Sequence, residues 1–336
     1  MTASISKVAL VGAGRMGAIH GRNAAANPRL DLVYLVESRA EAAASLAAAL
    51  HCRAASFSEV LADPGLAGVI IASPTSAHLG MVLAALRAGK AVFCEKPLDL
   101  ELAQLRAAEA DLTRDGAPPL YVAFNRRFDP HFQALQAKLA SGAIGTLETL
   151  HLISHDPAPP PPSFIPTSGG LFRDFTIHDF DMACWLTEAL PRDVFAWAEC
   201  LVDPAIAAAG DVDTARVVLR YASGRICVIS NTRRSGYGYD QRVEAYGSRG
   251  AAMAGNPRTS TVETWTGDGA LAAPIFGSFP ARYEQSYRAE LDHFADILAG
   301  AATPLTGYEA SLRALLLADA AGRSIKTGAP VALEQA

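Results

Sequence analysis

The feature that most constrains this chain lies near its start. A short apolar run, Val8-Ala9-Leu10-Val11, breaks directly into Gly12-Ala13-Gly14-Arg15-Met16-Gly17 and then into a helical stretch from about Met16 to Asn27. The three glycines do separate work: Gly12 permits a tight turn, Gly14 lets a ligand approach the backbone, and Gly17 allows the helix to pack close to the strand. Unpaired amides and the helix dipole then favour a phosphate at the helix N-terminus. A second apolar run, Leu32 to Val36, ends at Glu37, about 20 residues beyond the last glycine, where this motif carries its acid. Strand, glycine turn, helix, strand and acid together predict a Rossmann unit that binds a dinucleotide. A carboxylate at Glu37 accepts ribose hydroxyls and repels a 2′-phosphate, so the cofactor is expected to be NAD rather than NADP. Ser38 and Arg39 are of the type a 2′-phosphate would want, but Arg39 is expected to be exposed and solvated at the start of a helix.

The pattern repeats beyond this unit. Glu41 to Leu50 reads as helix, Gly68 to Ala72 as a continuous apolar strand, Ala77 to Ala88 as helix, Ala91 to Cys94 as strand, Leu100 to Arg114 as helix and Leu120 to Phe124 as strand. Apolar strands alternating with helices predict a doubly wound parallel sheet covered on both faces. The alternation then stops. Thr146 to Ile153, Val194 to Val202, Ala215 to Tyr221, Ile226 to Thr232 and Arg242 to Tyr246 read as strands separated by polar turns, which predicts an α+β unit with a large, mainly antiparallel open sheet. Asp179 to Leu186, Glu284 to Leu298 and Glu309 to Thr327 read as helices. At roughly 150 residues per domain, a chain of 336 residues predicts two domains. The expected division is a Rossmann domain over 1–123 and a substrate and oligomerisation domain over 124–336, with the C-terminal helix packing back on the first. Five prolines among the six residues Pro157 to Pro162 predict a stiff loop, because proline fixes its own backbone angle and lacks an amide donor.

Composition narrows the partners. No segment has the uninterrupted apolar length of a membrane span, and a net charge of -5 without a basic run argues against nucleic acid. The five cysteines are scattered without metal-ligand spacing, so neither disulfides nor a metal site is expected. The short polar start lacks the apolar core of a secretory signal, and a cytoplasmic location is expected. A sheet with one free face calls for a partner, which predicts a homo-oligomer, dimer or tetramer, acting on a small molecule.

At Cys94-Glu95-Lys96-Pro97 the chain resembles the family of sugar-type oxidoreductases that includes glucose-fructose oxidoreductase and inositol 2-dehydrogenase. The resemblance covers nearly the whole chain. Ala72-Ser73-Pro74-Thr75 with His78 looks like the family's nicotinamide-side loop, and Phe124-Asn125-Arg126-Arg127-Phe128-Asp129 like its crossing into the second domain. Asp156 to Pro162, Ser168 to Met182 and Arg234 to Glu244 closely resemble the inositol 2-dehydrogenase branch, the last around a tyrosine, Tyr237, expected to line the substrate pocket. Where many members carry an arginine before the Asp-Pro of the proline loop this chain has His155, so the charge near the pocket wall differs. The resemblance implies NAD-dependent oxidation of a secondary hydroxyl of a cyclitol, in particular myo-inositol to 2-keto-myo-inositol. Two alternatives stay open: the same chemistry on another sugar, such as an aldose, and a non-catalytic dinucleotide-binding sensor.

Removing hydride from a secondary alcohol leaves a proton on oxygen, which demands a base and a stabiliser of developing negative charge. Lys96, Asp174 and His178 are the right types. If their stretch is helical, Asp174 and His178 share a face at a spacing of four, so the carboxylate can orient the imidazole and support its protonated form. His178 is then the acid/base, and Lys96 aims its ammonium at the reacting oxygen. The resemblance gives Lys96 a share in the proton relay. Asp179 either positions His178 or caps a helix, and His20 is expected to be packed without catalytic duty. Asn125 and Arg127 either bind cofactor or polyol hydroxyls or form a salt-bridged hinge. The expected cofactor contacts are thus Gly12, Ala13, Gly14, Arg15, Met16, Gly17, Glu37, Ser73, Pro74, Thr75, His78, Glu95 and Lys96. Those to substrate are Lys96, Asn125, Arg127, His155, Asp174, His178 and Tyr237.

Overall fold

Six strands, β1 (Ser6–Val11), β2 (Leu30–Val36), β3 (Arg53–Ala54), β4 (Gly68–Ile71), β5 (Ala91–Glu95) and β6 (Leu120–Ala123), align in parallel in the order β3-β2-β1-β4-β5-β6. That order reverses at β1 and β4, the topological switch point of a Rossmann fold, where ligands bind outside the strands' carboxyl ends. The computed structural model describes residues 5–333. Residues 8–11 of β1 and all of β4, β5 and β6 are buried, as strands covered on both faces must be.

The chain divides into two compact units elsewhere than at the expected 123/124 boundary. The first runs through Phe128 and takes in Gln285–Leu312; the second comprises Asp129–Glu284 and the residues from Arg313 onward. The helix Glu284–Leu298 returns to the Rossmann core from Gln285, and the first residues of the C-terminal helix, up to Leu312, belong to the same unit. Leu291, Phe294, Ala295 and Ile297 of the returning helix join the core formed by Val8, Leu10, Ile70, Phe93 and Tyr121. From Arg313 the C-terminal helix, Tyr308–Thr327, belongs to the second unit, where Ser324 accepts a hydrogen bond from the Ala196 amide at 3.0 Å. The expected helix over 100–114 is interrupted at Ala108, giving Leu102–Ala107 and Glu109–Leu112.

In the second unit, β7 (Leu147–His155), β8 (Asp193–Glu199), β9 (Thr214–Arg220), β10 (Ile226–Thr232), β11 (Asp240–Gly247) and β12 (Gly250–Ala254) form one sheet. A short β15 (Val331–Ala332) completes it in the order β12-β11-β7-β10-β9-β8-β15. Neighbours are antiparallel except β7 and β10, so the sheet is mainly antiparallel but mixed. A separate hairpin pairs β13 (Glu263–Thr266) with β14 (Gly269–Ala272). Side chains alternate across the sheet: Leu150, Leu152, Ala215, Val217, Leu219, Cys227 and Ile229 are buried on one face, while the other leaves Trp197 60% exposed.

Phe294 packs edge-on to Phe93, with ring centroids 5.8 Å apart, and is fully buried. Phe294→Ala is expected to cost about 3–5 kcal/mol by cavity formation, measured by urea unfolding. A loss below about 0.5 kcal/mol, the scale of an ordinary surface substitution, would contradict the placement of this helix in the Rossmann core.

Candidate active site

The glycine turn is dictated partly by the protein's own packing. Gly12 adopts φ +105°, and a Cβ there would lie 2.5 Å from the Ala72 carbonyl oxygen; a Cβ on Gly17 would lie 2.0 Å from that of Gly12. Gly14 differs, because a Cβ there would meet nothing within 4 Å. It precedes the 12-residue helix Arg15–Ala26, whose first amides receive no side-chain cap. An open approach to uncapped amides is the setting a pyrophosphate requires, so these residues fit a dinucleotide. Ala13 and Met16 are half-buried beside it, and Arg15 is exposed.

Glu37 closes the adenosine side. Its Oε2 accepts the Ala13 amide at 2.9 Å, and its Oε1 accepts the Arg39 amide at 3.0 Å, the Arg39 Nε at 3.1 Å and the Ser38 hydroxyl at 3.3 Å. The Arg39 guanidinium, aided by the two amides, holds this carboxyl at about 2 against the effect of burial. Arg39 is exposed as expected, but its guanidinium is occupied by Glu37 rather than solvated alone.

On the opposite side of the switch point, β5 ends at Glu95, which is buried, with Lys96 half-buried next to it. Burial pushes the Glu95 carboxyl up, but the His20 hydrogen bond and the charges of His20, Lys96 and His78 outweigh it and leave it lowered. Its Oε1 meets His20 Nε2 at 2.7 Å and its Oε2 accepts the Lys96 amide at 3.2 Å. His20 therefore supports the Lys96 turn from behind, a role not visible in the sequence. Ser73 and Thr75 are half-buried and Pro74 exposed, in the loop leading to the helix His78–Arg87. His78 itself is buried, with its two ring nitrogens against Pro97 O at 2.8 Å and Ser73 O at 2.9 Å. Asn125 and Arg127 share the 3₁₀ turn Asn125–Phe128; Arg127 is half-buried, while the buried Asn125 Nδ2 has no hydrogen-bond partner in the protein.

In the second unit, Asp174 lies in a π turn, Phe172–Thr176, that runs directly into the helix Ile177–Thr187 carrying His178. The stretch is thus helical, as the Asp174/His178 pairing requires, and π turns recur at functional sites. Asp179 sits in the first turn of that helix. Its carboxylate is buried and accepts Ser154 Oγ at 2.6 Å and Asn231 Nδ2 at 2.8 Å, while Asn231 Oδ1 accepts Thr176 Oγ1 at 2.7 Å. These bonds tether the helix start to β7 and β10 and so fix the backbone on either side of His178. Asp174 meets the buried Arg233 guanidinium at 3.4 Å, a partner sequence reasoning missed. The left-handed Gly170 admits Asp211, whose Oδ1 would lie 2.8 Å from a Cβ there and accepts the Leu171 amide at 3.0 Å.

His155 and Tyr237 are brought together with each other. Ser154 faces the helix, so strand alternation points His155 to the other face of the sheet. Tyr237 Oη donates to Asp240 at 2.8 Å, His155 Nδ1 lies 3.2 Å from the same phenol oxygen, and His155 Nε2 lies 3.0 Å from Ser230 Oγ. Burial lowers the His155 pKa, consistent with a neutral ring donating from Nδ1 to Tyr237 and accepting from Ser230.

Known proteins share this fold. Residues 6–123 match the oxidoreductase family with NAD-binding Rossmann fold, and residues 132–253 match the GFO/IDH/MocA C-terminal domain. An inositol 2-dehydrogenase of Rhizobium meliloti (strain 1021) is 43% identical over 317 residues, covering 94% of this chain and 96% of that protein. The chain belongs to the GFO/IDH/MocA family. A myo-inositol dehydrogenase structure from Corynebacterium glutamicum superposes with a TM-score of 0.92 at 39% identity, covering 99% of this chain and 100% of that one. A scyllo-inositol dehydrogenase from Lactobacillus casei, solved with NAD(H) and scyllo-inositol, superposes with a TM-score of 0.91 at 25% identity, covering 98% and 99%. This GFO/IDH/MocA chain is accordingly an NAD-binding oxidoreductase with a Rossmann unit and a mixed-sheet unit.

Because Glu37 is ionised well below neutrality, its own charge is expected to add no pH dependence to the preference for NAD over NADP between pH 5 and 9. That preference is lost only as pH falls toward about 2. Glu37→Ala, which releases Arg39, is expected to lower kcat/KM for NAD by roughly 10-fold or more and to raise it for NADP, since about 1.4 kcal/mol of lost contact is a factor of ten. An unchanged NAD/NADP ratio would contradict the role given to Glu37.

Proposed function

We propose that the protein is an NAD-dependent cyclitol dehydrogenase that oxidises myo-inositol to 2-keto-myo-inositol in the cytoplasm, with Lys96, Asp174 and His178 as its acid–base residues. The observation that carries this reading is that both chemistry-bearing turns are anchored from behind by buried carboxylates. Glu95 holds the Lys96 amide at 3.2 Å, and Asp179 ties the helix of His178 to Ser154 and Asn231. A sensor that had shed its chemistry would have no need of such anchoring. The relatives named for inositol oxidation supply the substrate class.

When bound, NAD supplies the hydride acceptor, and the remaining work falls to the chain. His178 removes the hydroxyl proton, with Asp174 orienting the imidazole and supporting its charged form. Arg233 holds Asp174 in turn. The Lys96 ammonium stabilises the oxygen as negative charge develops and shares in passing on the proton. The unpartnered Asn125 Nδ2, with Arg127, offers donors to cofactor or polyol hydroxyls. The loop around Ser73, Pro74 and Thr75 takes the nicotinamide side. The open face of the second unit's sheet, with Trp197 and the His155–Tyr237 pair, meets a second copy of the chain in a dimer or tetramer.

Lys96→Ala and His178→Ala are each expected to reduce kcat on myo-inositol by roughly 10²- to 10⁴-fold, the range of a lost acid–base group, with cooperative unfolding retained. Unchanged turnover in either variant would remove that residue from the mechanism. A panel of myo-inositol, scyllo-inositol and aldoses, assayed with NAD and NADP, tests the substrate; turnover confined to aldoses would replace the cyclitol reading. Trp197→Glu is expected to lower the sedimentation mass, and an unaltered assembly would move the interface elsewhere.

A further inference from the structure

His78 stands in an unusual hydrogen-bond setting. The residue is 2% exposed, and both ring nitrogens face backbone carbonyl oxygens, Nδ1 toward Pro97 at 2.8 Å and Nε2 toward Ser73 at 2.9 Å. Carbonyl oxygens only accept. A neutral imidazole has one N–H and one lone pair, so it would satisfy one of these contacts and aim its lone pair at the other oxygen. Only the imidazolium donates to both.

His20 provides the contrast within the same unit. Its Nε2 meets Glu95 Oε1 at 2.7 Å, but its buried Nδ1 has no hydrogen-bond partner in the protein. His20 therefore has a single acceptor and bridges no second backbone segment. His78 has two acceptors, and the Glu95 carboxylate acts on it as a nearby negative charge.

We propose that His78 is an imidazolium clamp, a positioning residue that ties the Ser73 loop to the Lys96–Pro97 turn and thereby fixes the two backbone segments flanking the nicotinamide side of the site. Its carbonyl partners are 24 residues apart along the chain, so no local structure would hold them in register. Ser73 follows β4 by two residues, and Pro97 follows β5 by two; the clamp therefore bridges the carboxyl ends of adjacent strands. Glu95 supports the same turn through the Lys96 amide, so Lys96 is held by an anion on one side and Pro97 by a cation on the other. This inference rests on Lys96 as the residue that meets the reacting oxygen.

The direct test is the ring ¹⁵N spectrum of full-length, histidine-labelled protein at pH 7, where eight histidines are to be resolved. The His78 signals are identified by their loss in His78→Gln or through their connection to its backbone. The expected result is two protonated ring nitrogens; one nitrogen with a lone-pair shift would overturn the clamp whether or not the substrate reading holds. The kinetic arm uses His78→Gln, which keeps a donor but cannot span both carbonyls. Its kcat on myo-inositol is expected to fall about 10- to 100-fold, the scale of a misplaced catalytic group, while the NAD KM moves less than about threefold, as a loss confined to the transition state requires. An unchanged kcat would show that the clamp does not position Lys96.

Discussion

A buried carboxylate, Glu95, organises the chemistry-bearing end of the Rossmann unit. An ionised carboxyl without partners would be expelled from such a site or neutralised. Here His20 and the Lys96 amide hold it, and its pKa stays lowered despite its burial. A second buried carboxyl nearby behaves in the opposite way. Glu290 accepts Tyr121 Oη at 2.8 Å, but burial and the charge of Glu95 push its pKa well above the usual range. The two acids are thereby pushed in opposite directions. The charge remains where β5 ends and Lys96 begins, and the Lys96 turn inherits a fixed backbone from it.

The second unit solves the same problem by different means. Its candidate base is carried on a helix that must be held against a sheet, and apolar packing alone would leave the helix free to rotate or slide by small amounts. Asp179 removes that freedom by accepting hydrogen bonds from two neighbouring strands, while Thr176 and Asn231 complete the network. Fully satisfied buried polar networks of this kind specify a unique arrangement. The π turn before it places Asp174 within reach of Arg233.

Much of this is legible in the sequence, and what is not has physical reasons. The glycine turn, Glu37 and the longer strands of both sheets can be read because they depend on local patterns: continuous apolar runs, alternation and glycine spacing. The strand Arg53–Ala54 is two exposed residues long and carries no such pattern. The helix Pro130–Ala140 does carry a signal, an Asp129 cap followed by proline at its first position, but apolar periodicity alone passes over it. The return of Glu284–Leu298 to the first core and the His20–Glu95 bond, 75 residues apart, are long-range facts that no local pattern encodes. His155 and Tyr237 likewise meet across 82 residues of chain, on the sheet face opposite Ser154, a pairing that no local pattern encodes.

The central claim is that hydride leaves a ring carbon of a cyclitol under the direction of Lys96, Asp174 and His178. Its most direct measurement is a turnover with myo-inositol deuterated at C2 and NAD, reading the reduced cofactor by mass spectrometry. One deuterium in each reduced cofactor formed is the predicted result. Reduced cofactor without the label, or no reduction of NAD by any inositol, would contradict the account.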